Sequence, residues 1–329
     1  MRLVRAVICR EFGPIDALEV TELPPPQPGP GQVVVSVRAA GVNYPDALLV
    51  QGRYQEKPAL PFTPGGELAG VVKSIGPARN GDTLFEVGQA VYGGLLRGCF
   101  AEEVAVDADK LRAIPAGCTF EEAACVATTY HTSYYALVTL AAIRPGESVL
   151  VLGAAGGVGL AAIEIAKAFG ARVIAAASSD EKLAVCRSHG ADELIQYARS
   201  DLRGRLKELT DGQGVDVVYD PVGGEYSEAA LRGLAWRGRH LVVGFTAGIP
   251  KIPTNLVLLK GATILGVMLG AAFTRDASVA KSVMDHVAAL LAAGKIRPQV
   301  SERYDFSRTA EALKRLLERR VAGKLVLIP

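Results

Sequence analysis

No apolar run in this chain of 329 residues is long enough to cross a membrane. The most apolar tract, Ala262 to Phe273, falls well short of the roughly 20 residues a helical span needs. The start, Met1-Arg2-Leu3-Val4-Arg5, lacks the apolar core of an export signal, so a cytoplasmic protein is expected. An excess of one charge is missing too. Lys+Arg number 36 against 34 Asp+Glu, with no basic run to meet nucleic acid, so a small-molecule partner is expected instead. Five cysteines, Cys9, Cys99, Cys118, Cys125 and Cys186, are odd in number, scattered and without a C-x-x-C, which argues for reduced packing thiols rather than a disulfide framework. The four histidines show no metal-ligand spacing. What the chain does have is 50% hydrophobic residues, enough for a large core in two domains.

The most informative stretch runs from Ser148 to Lys182. Val149 to Leu152 is short, apolar and β-branched, as a buried parallel strand is. Gly153, Gly156 and Gly159 follow three apart, with Gly157 between the last two and Ala154, Ala155 and Val158 filling the other places. Leu160 to Phe169 then has helical spacing. A strand, a glycine turn and a helix in this order fit a dinucleotide's pyrophosphate. The turn is too tight for a Cβ, the backbone must approach phosphate, and the helix start offers free N–H groups and a positive dipole end. The same glycines could serve a bare structural turn, but a second strand, Arg172 to Ala176, continues the dinucleotide pattern.

That second strand bears on which dinucleotide is bound. An NAD site carries Asp or Glu at its end to hold the ribose hydroxyls. Here the place is taken by Ala177, with Ser178 and Ser179 after it and Lys182 one turn into the next helix. With no carboxylate to repel it, a 2′-phosphate can sit against the hydroxyls and the ammonium, so NADPH is expected over NADH. Ser179 can also cap that helix, and the two roles are compatible.

Before this stretch the pattern is β-rich, with short strands such as Gln32 to Arg38 and a Pro24–Gly31 separator, and a short helix from Pro45-Asp46 to Gln51. After it, strands and helices alternate: Leu194 to Tyr197, Leu202 to Leu209, Val215 to Asp220, a helix through Leu231 and Leu234, and His240 to Phe245. Such alternation predicts an α/β fold with a doubly wound parallel sheet. Its strand ends place Asp220, Gly244 and Phe245 in the cofactor crevice, and Tyr197 is counted with them. Ile264 to Leu269 reads as one more strand, an edge that could pair across a homodimer. The domains are expected at residues 1–125 and 126–266, with about 267–329 returning to the first.

Gly41-Val-Asn-Tyr-Pro-Asp46, Gln51-Gly-Arg-Tyr54, Pro64-Gly-Gly-Glu-Leu-Ala-Gly70, Ala154-Ala-Gly-Gly-Val-Gly159, Asp220-Pro-Val-Gly-Gly224 and Gly323-Lys-Leu-Val-Leu327 span nearly the whole chain. Together they resemble the medium-chain dehydrogenase/reductase superfamily, in its zinc-free NADPH:quinone oxidoreductase branch. The resemblance implies a GroES-like irregular β-barrel domain beside a Rossmann domain that binds NADPH, and hydride transfer to a quinone. The zinc enzymes' ligand slots hold Asn43, Gly66 and Thr128 here, none able to replace thiolate or imidazole, so no metal is expected. By resemblance, Asn43, Tyr54 and Thr132 lie around nicotinamide and acceptor. Asn43 could donate to a developing oxyanion or simply form a turn before Pro45. Tyr54 is either a pocket wall or, for an enone or enoyl-CoA substrate, a proton donor. Leu48 stands where the branch often has an aromatic hydroxyl. A non-enzymatic NADPH-binding regulator is the remaining alternative.

Overall fold

The structure is a computed structural model that describes residues 2–79 and 84–329. The chain divides into two compact units, one of Met1–Thr128 with Pro298–Pro329 and one of Thr129–Arg297.

In the first unit a seven-stranded sheet runs Val300–Asp305, Lys324–Ile328, Gln32–Val42, Glu67–Ile75, Ala90–Gly94 and Leu111–Ala113, with Glu103–Asp107 also paired to Gln32–Val42. Gln32–Val42 is its longest strand, and Val33, Val35 and Val37 alternate into the apolar interior of the barrel. The register with Glu67–Ile75 shifts at two points, which lets the strands curl into the irregular barrel. Register also brings Gly41 opposite both Glu67 and Val326, so the ends of three strands meet at Asn43. There the chain turns into the helix Tyr44–Val50, with Pro45 in its first turn and Gly52, at φ 65°, just past its end.

In the second unit six parallel strands run in the order Glu193–Gln196, Arg172–Ala177, Ser148–Leu152, Val215–Asp220, Leu234–Val242 and Thr263–Gly266. Val149 to Leu152 and Val173 to Ala177 are buried throughout, because helices cover both faces of such a sheet. The strand order steps away from Ser148–Leu152 in both directions, which makes its carboxyl end the switch point of the fold. Among the described residues no helix is long and apolar enough to cross a membrane.

Three expectations need correction. The return to the first unit comes at Pro298 rather than about 267. The long helix Ala277–Ala292 belongs to the second unit, where His286 stacks on Tyr134 with ring centroids 5.6 Å apart. Ile264 to Leu269 is not one strand, since pairing ends at Gly266 and a helix starts at Leu269. Leu234 begins a strand instead of closing a helix, because the helix stops at Arg232 with Gly233 as its cap.

Candidate functional site

In the second unit the glycines after Ser148–Leu152 divide the work among them. Gly153 has φ 56°, and a Cβ on it would lie 2.8 Å from Val222 Cγ2. At Gly159 a Cβ would come within 2.6 Å of the Gly153 carbonyl oxygen, so the helix Gly157–Ala168 packs directly on the turn. Gly156 differs from both. A Cβ there would meet only the Gly153 carbonyl oxygen, at 3.4 Å, so protein packing alone does not require glycine. It is the amino-terminal cap of the helix, and its bare backbone leaves the first-turn N–H groups open to an anion. Gly156, Gly157 and Val158 are accessible while Ala155 is buried beneath them. The cradle therefore fits a nucleotide pyrophosphate.

At the neighbouring strand end, Ala177 is buried and Ser178 is exposed. Ser179 caps the helix Asp180–Ser188 by accepting from the Lys182 N–H, and Lys182 Nζ lies 3.4 Å from Ser178 Oγ. Burial lowers the Lys182 pKa. The Tyr197 N–H donates to the Ala177 carbonyl, which brings its ring to the same corner, 4.7 Å from that of Tyr226. Arg199, not singled out from sequence, lies 3.6 Å from Asp180 at this corner and adds a second cation. Its signal was a basic residue two places past Tyr197. Two hydroxyls and the Lys182 ammonium, with Ala177 where an NAD site has its carboxylate, suit a 2′-phosphate, while Arg199 is paired with Asp180.

Asp220 does not face outward. Its Oδ1 accepts from the Val222 and Gly223 N–H groups at 2.9 and 2.8 Å, and its Oδ2 from Ser227 Oγ and, at 3.1 Å, from His240 Nε2. Any influence of Asp220 on a nucleotide runs through the turn it holds. Gly244 and Phe245 lie on the loop against that turn, and Phe245 is exposed. Thr132 is half-buried in the helix Thr129–Tyr134 of the same unit.

In the first unit, Asn43, Asp46, Glu67 and Lys324 form a buried polar cluster. Lys324 Nζ donates to Glu67 Oε1 at 2.8 Å, to the Val42 carbonyl at 2.9 Å and to Asn43 Oδ1, which uses all three ammonium protons. Asn43 Nδ2 donates to Glu67 Oε1 at 2.9 Å and more weakly to the Gly41 carbonyl at 3.3 Å. Glu67 Oε2 accepts from the Thr128 N–H, and Asp46 Oδ2 from the Asn43 N–H, both at 2.8 Å. Burial pushes the Asp46 carboxyl up to about 7, against the Asn43 N–H and the Lys324 charge, which favour the anion. Tyr54 is half-buried against the apolar core of this unit. Its pKa is raised by burial, then by Glu56 and Asp46, so the phenol keeps its proton at neutral pH. A Cβ on Gly66 would lie 3.6 Å from Asp46 Oδ1 and 3.8 Å from Thr128 Oγ1. The slots at Asn43, Gly66 and Thr128 are thus neighbours, and the buried cation beside them is an ammonium. Among the described residues no group of three or more His, Cys, Asp or Glu side chains could hold a metal ion.

Residues 29–116 match the alcohol dehydrogenase GroES-like domain and residues 157–289 the zinc-binding dehydrogenase domain. The chain is 37% identical to a quinone oxidoreductase-like protein 2 homolog of Nematostella vectensis over 98% of its length and 88% of the relative's. It is 31% identical to a rat synaptic vesicle membrane protein VAT-1 homolog, over 99% of this chain and 84% of that one. The solved structure of Escherichia coli quinone oxidoreductase complexed with NADPH superposes with a TM-score of 0.88 at 29% identity, covering 99% of this chain and 100% of that one. With a GroES-like unit, a Rossmann unit whose glycine corner is open to a nucleotide, and these relatives, the chain belongs to the medium-chain dehydrogenase/reductase family, in its quinone oxidoreductase branch.

Proposed function

We propose that this protein is an NADPH-dependent, zinc-independent oxidoreductase that reduces a quinone or a related conjugated carbonyl and acts as a homodimer. The observation that carries the reading is the open glycine corner beside a strand end that offers Ser178 and Lys182 where an NAD site has a carboxylate. Gly153, Ala155, Gly156, Gly157, Val158 and Gly159 hold the pyrophosphate. Ser178, Ser179, Lys182 and Tyr197 hold the 2′-phosphate, and the loops carrying Asp220, Gly244 and Phe245 close over the nucleotide. When bound, NADPH supplies a hydride, and quinone, NADPH and one proton give hydroquinone and NADP⁺.

The protein's own share is binding, orientation and protons. Asn43 forms a fixed floor, and its longer bond to Gly41 is the one an acceptor oxygen would replace. Thr132 contributes a hydroxyl to the acceptor's surroundings. A quinone spreads the arriving charge by conjugation, so no Lewis acid is needed, and Asn43, Gly66 and Thr128 offer no zinc ligand.

A second reading, reduction of an enone or enoyl thioester, would use Tyr54, a phenol half-buried against the first unit's core and protonated at neutral pH, to deliver a proton to the carbon next to the carbonyl. NADPH oxidation measured with a benzoquinone, a naphthoquinone, a simple enone and an enoyl-CoA separates the two. Turnover of the quinones alone supports the first reading, turnover of the enone or thioester alone supports the second, and turnover of none rejects both. The homodimer rests on the edge strand Thr263–Gly266, which is paired on one side within this chain, and on exposed Trp236, Leu258, Leu259 and Ile264.

A further inference from the structure

The strand Val215–Asp220 ends in two polar side chains that alternation sends to opposite faces of the sheet. On one face Tyr219 OH lies 2.9 Å from Ser133 Oγ, and the Ser133 hydroxyl donates to the Val158 carbonyl at 3.0 Å. Val158 is in the first turn of the helix that follows the glycine corner. On the other face Asp220 gathers the N–H groups of Val222 and Gly223, the Ser227 hydroxyl and His240 Nε2. The turn it holds contains Gly223 at φ 72° and Gly224 at φ 59°, a path open to glycine but selected from its many conformations by such anchors. Val222 rests against Gly153, the first glycine of the corner. The end of one strand therefore braces both sides of the cradle.

His240 completes the brace. It is fully buried, its Nε2 points at Asp220, and its Nδ1 has no hydrogen-bond partner among the described residues. The proton accordingly sits on Nε2, where it meets a carboxylate. A buried ring that leaves one nitrogen unsatisfied is a poor stabilising choice, since an apolar side chain of similar size would fill the space without that cost. Its presence is explained if Asp220 needs a fourth donor to stay in place.

We propose that His240 is a positioning residue for nucleotide binding, acting through Asp220 and the 221–224 turn on the pyrophosphate side of the glycine corner. This rests on the reading of that corner as an NADPH site. Its effect is greatest on the pyrophosphate side, because Ser178 and Lys182, which would hold the 2′-phosphate, lie at the end of a different strand and only the Tyr197 ring, against Tyr226, meets the helix after the turn.

The test compares NADPH with adenosine 2′-monophosphate, which has the 2′-phosphate but no pyrophosphate, by titration of the full chain. In His240→Leu the NADPH dissociation constant is expected to rise about tenfold, the part of one charge-assisted hydrogen bond that reaches the corner. The 2′-monophosphate constant stays within about twofold, since that ligand never touches the braced turn. His240→Gln keeps an amide donor in reach of Asp220 and restores NADPH binding. Should His240→Leu not fold, Ser227→Ala removes a second donor from the same carboxylate oxygen and shows the same split at smaller size. Unchanged NADPH binding in both variants overturns the proposal. So does equal loss of both ligands, which marks a general loss of structure, and so does failure of His240→Gln to recover. Wild-type protein that binds neither ligand instead rejects the nucleotide reading itself and this inference with it.

Discussion

Lys324 Nζ lies 2.8 Å from Glu67 Oε1, with both side chains almost wholly buried and 257 residues apart in the chain. The carboxylate also takes the Asn43 amide and the Thr128 N–H, so the pair is embedded in a network with its hydrogen bonds satisfied. Removing one partner leaves the other charge buried and alone. Lys324→Met is therefore expected to destabilise the protein by about 3–5 kcal/mol in chemical denaturation. Adding Glu67→Gln recovers part of that loss, because the stranded charge is gone. A Lys324→Met protein as stable as the wild type would mean that the ammonium does not neutralise Glu67.

Asp46 gives stability a pH dependence of definite sign. Burial holds its carboxyl up to about 7 in the folded chain, against 3.8 for the unconstrained group. Between these values the folded state keeps a proton that the unfolded state has released, so raising the pH draws the equilibrium towards unfolding. The contribution is fully present below pH 3.8 and is lost as pH rises through about 7, on the order of 4 kcal/mol in all. Asp46→Asn should remove this component from a stability profile measured between pH 4 and 8. An unchanged slope in that variant would assign the dependence to other groups.

Nucleotide preference is expected to reside at the end of the strand Arg172–Ala177. Lys182→Ala should weaken NADPH by about 10–100-fold and leave NADH within about twofold, because only the former carries the 2′-phosphate. Fluorescence titration with both nucleotides reads this directly. Equal losses would place the ammonium elsewhere on the nucleotide.

Tyr54→Phe separates the two acceptor classes. If the phenol only shapes the pocket, quinone turnover changes by less than about threefold. If it delivers the proton after hydride addition, enone turnover falls by about 10²-fold or more, as loss of a general acid requires. The kcat values for the two acceptors in one preparation make the comparison internal.

The edge strand Thr263–Gly266 should carry self-association. Ile264→Lys places a charge on that edge and is expected to convert a dimer to a monomer by light scattering. A wild-type protein that is monomeric at micromolar concentration would reject the dimer outright.

The glycine corner was legible in the sequence because every part of it is local: an apolar strand, three glycines at fixed spacing and a helix within 35 residues. The absence of a carboxylate at Ala177 was legible for the same reason. The cluster around Asn43 was not. Asn43 was read as a donor to an acceptor or as a turn before Pro45; it does cap the helix there, but its amide is also engaged by Gly41, Glu67 and Lys324. Nothing near Asn43 in the chain announces a lysine from the last strand, since only the sheet register brings Val326 opposite Gly41. Asp220 was placed correctly at its strand end, yet periodicity cannot say whether a buried carboxylate turns to a ligand or to its own loop. The tract from Ile264 misled because continuous apolarity has no period, and a strand of four residues passes into a helix without a change in composition.

The first unit is not contiguous in the chain, and this bears on how it is made. Its sheet takes two strands, Val300–Asp305 and Lys324–Ile328, that follow the second unit along the chain, whereas the second unit is an unbroken segment. On the ribosome the second unit can fold as it emerges. Glu67, by contrast, waits for its counter-ion until the strand Lys324–Ile328 has emerged, so the barrel is expected to close only after the whole second unit has been made.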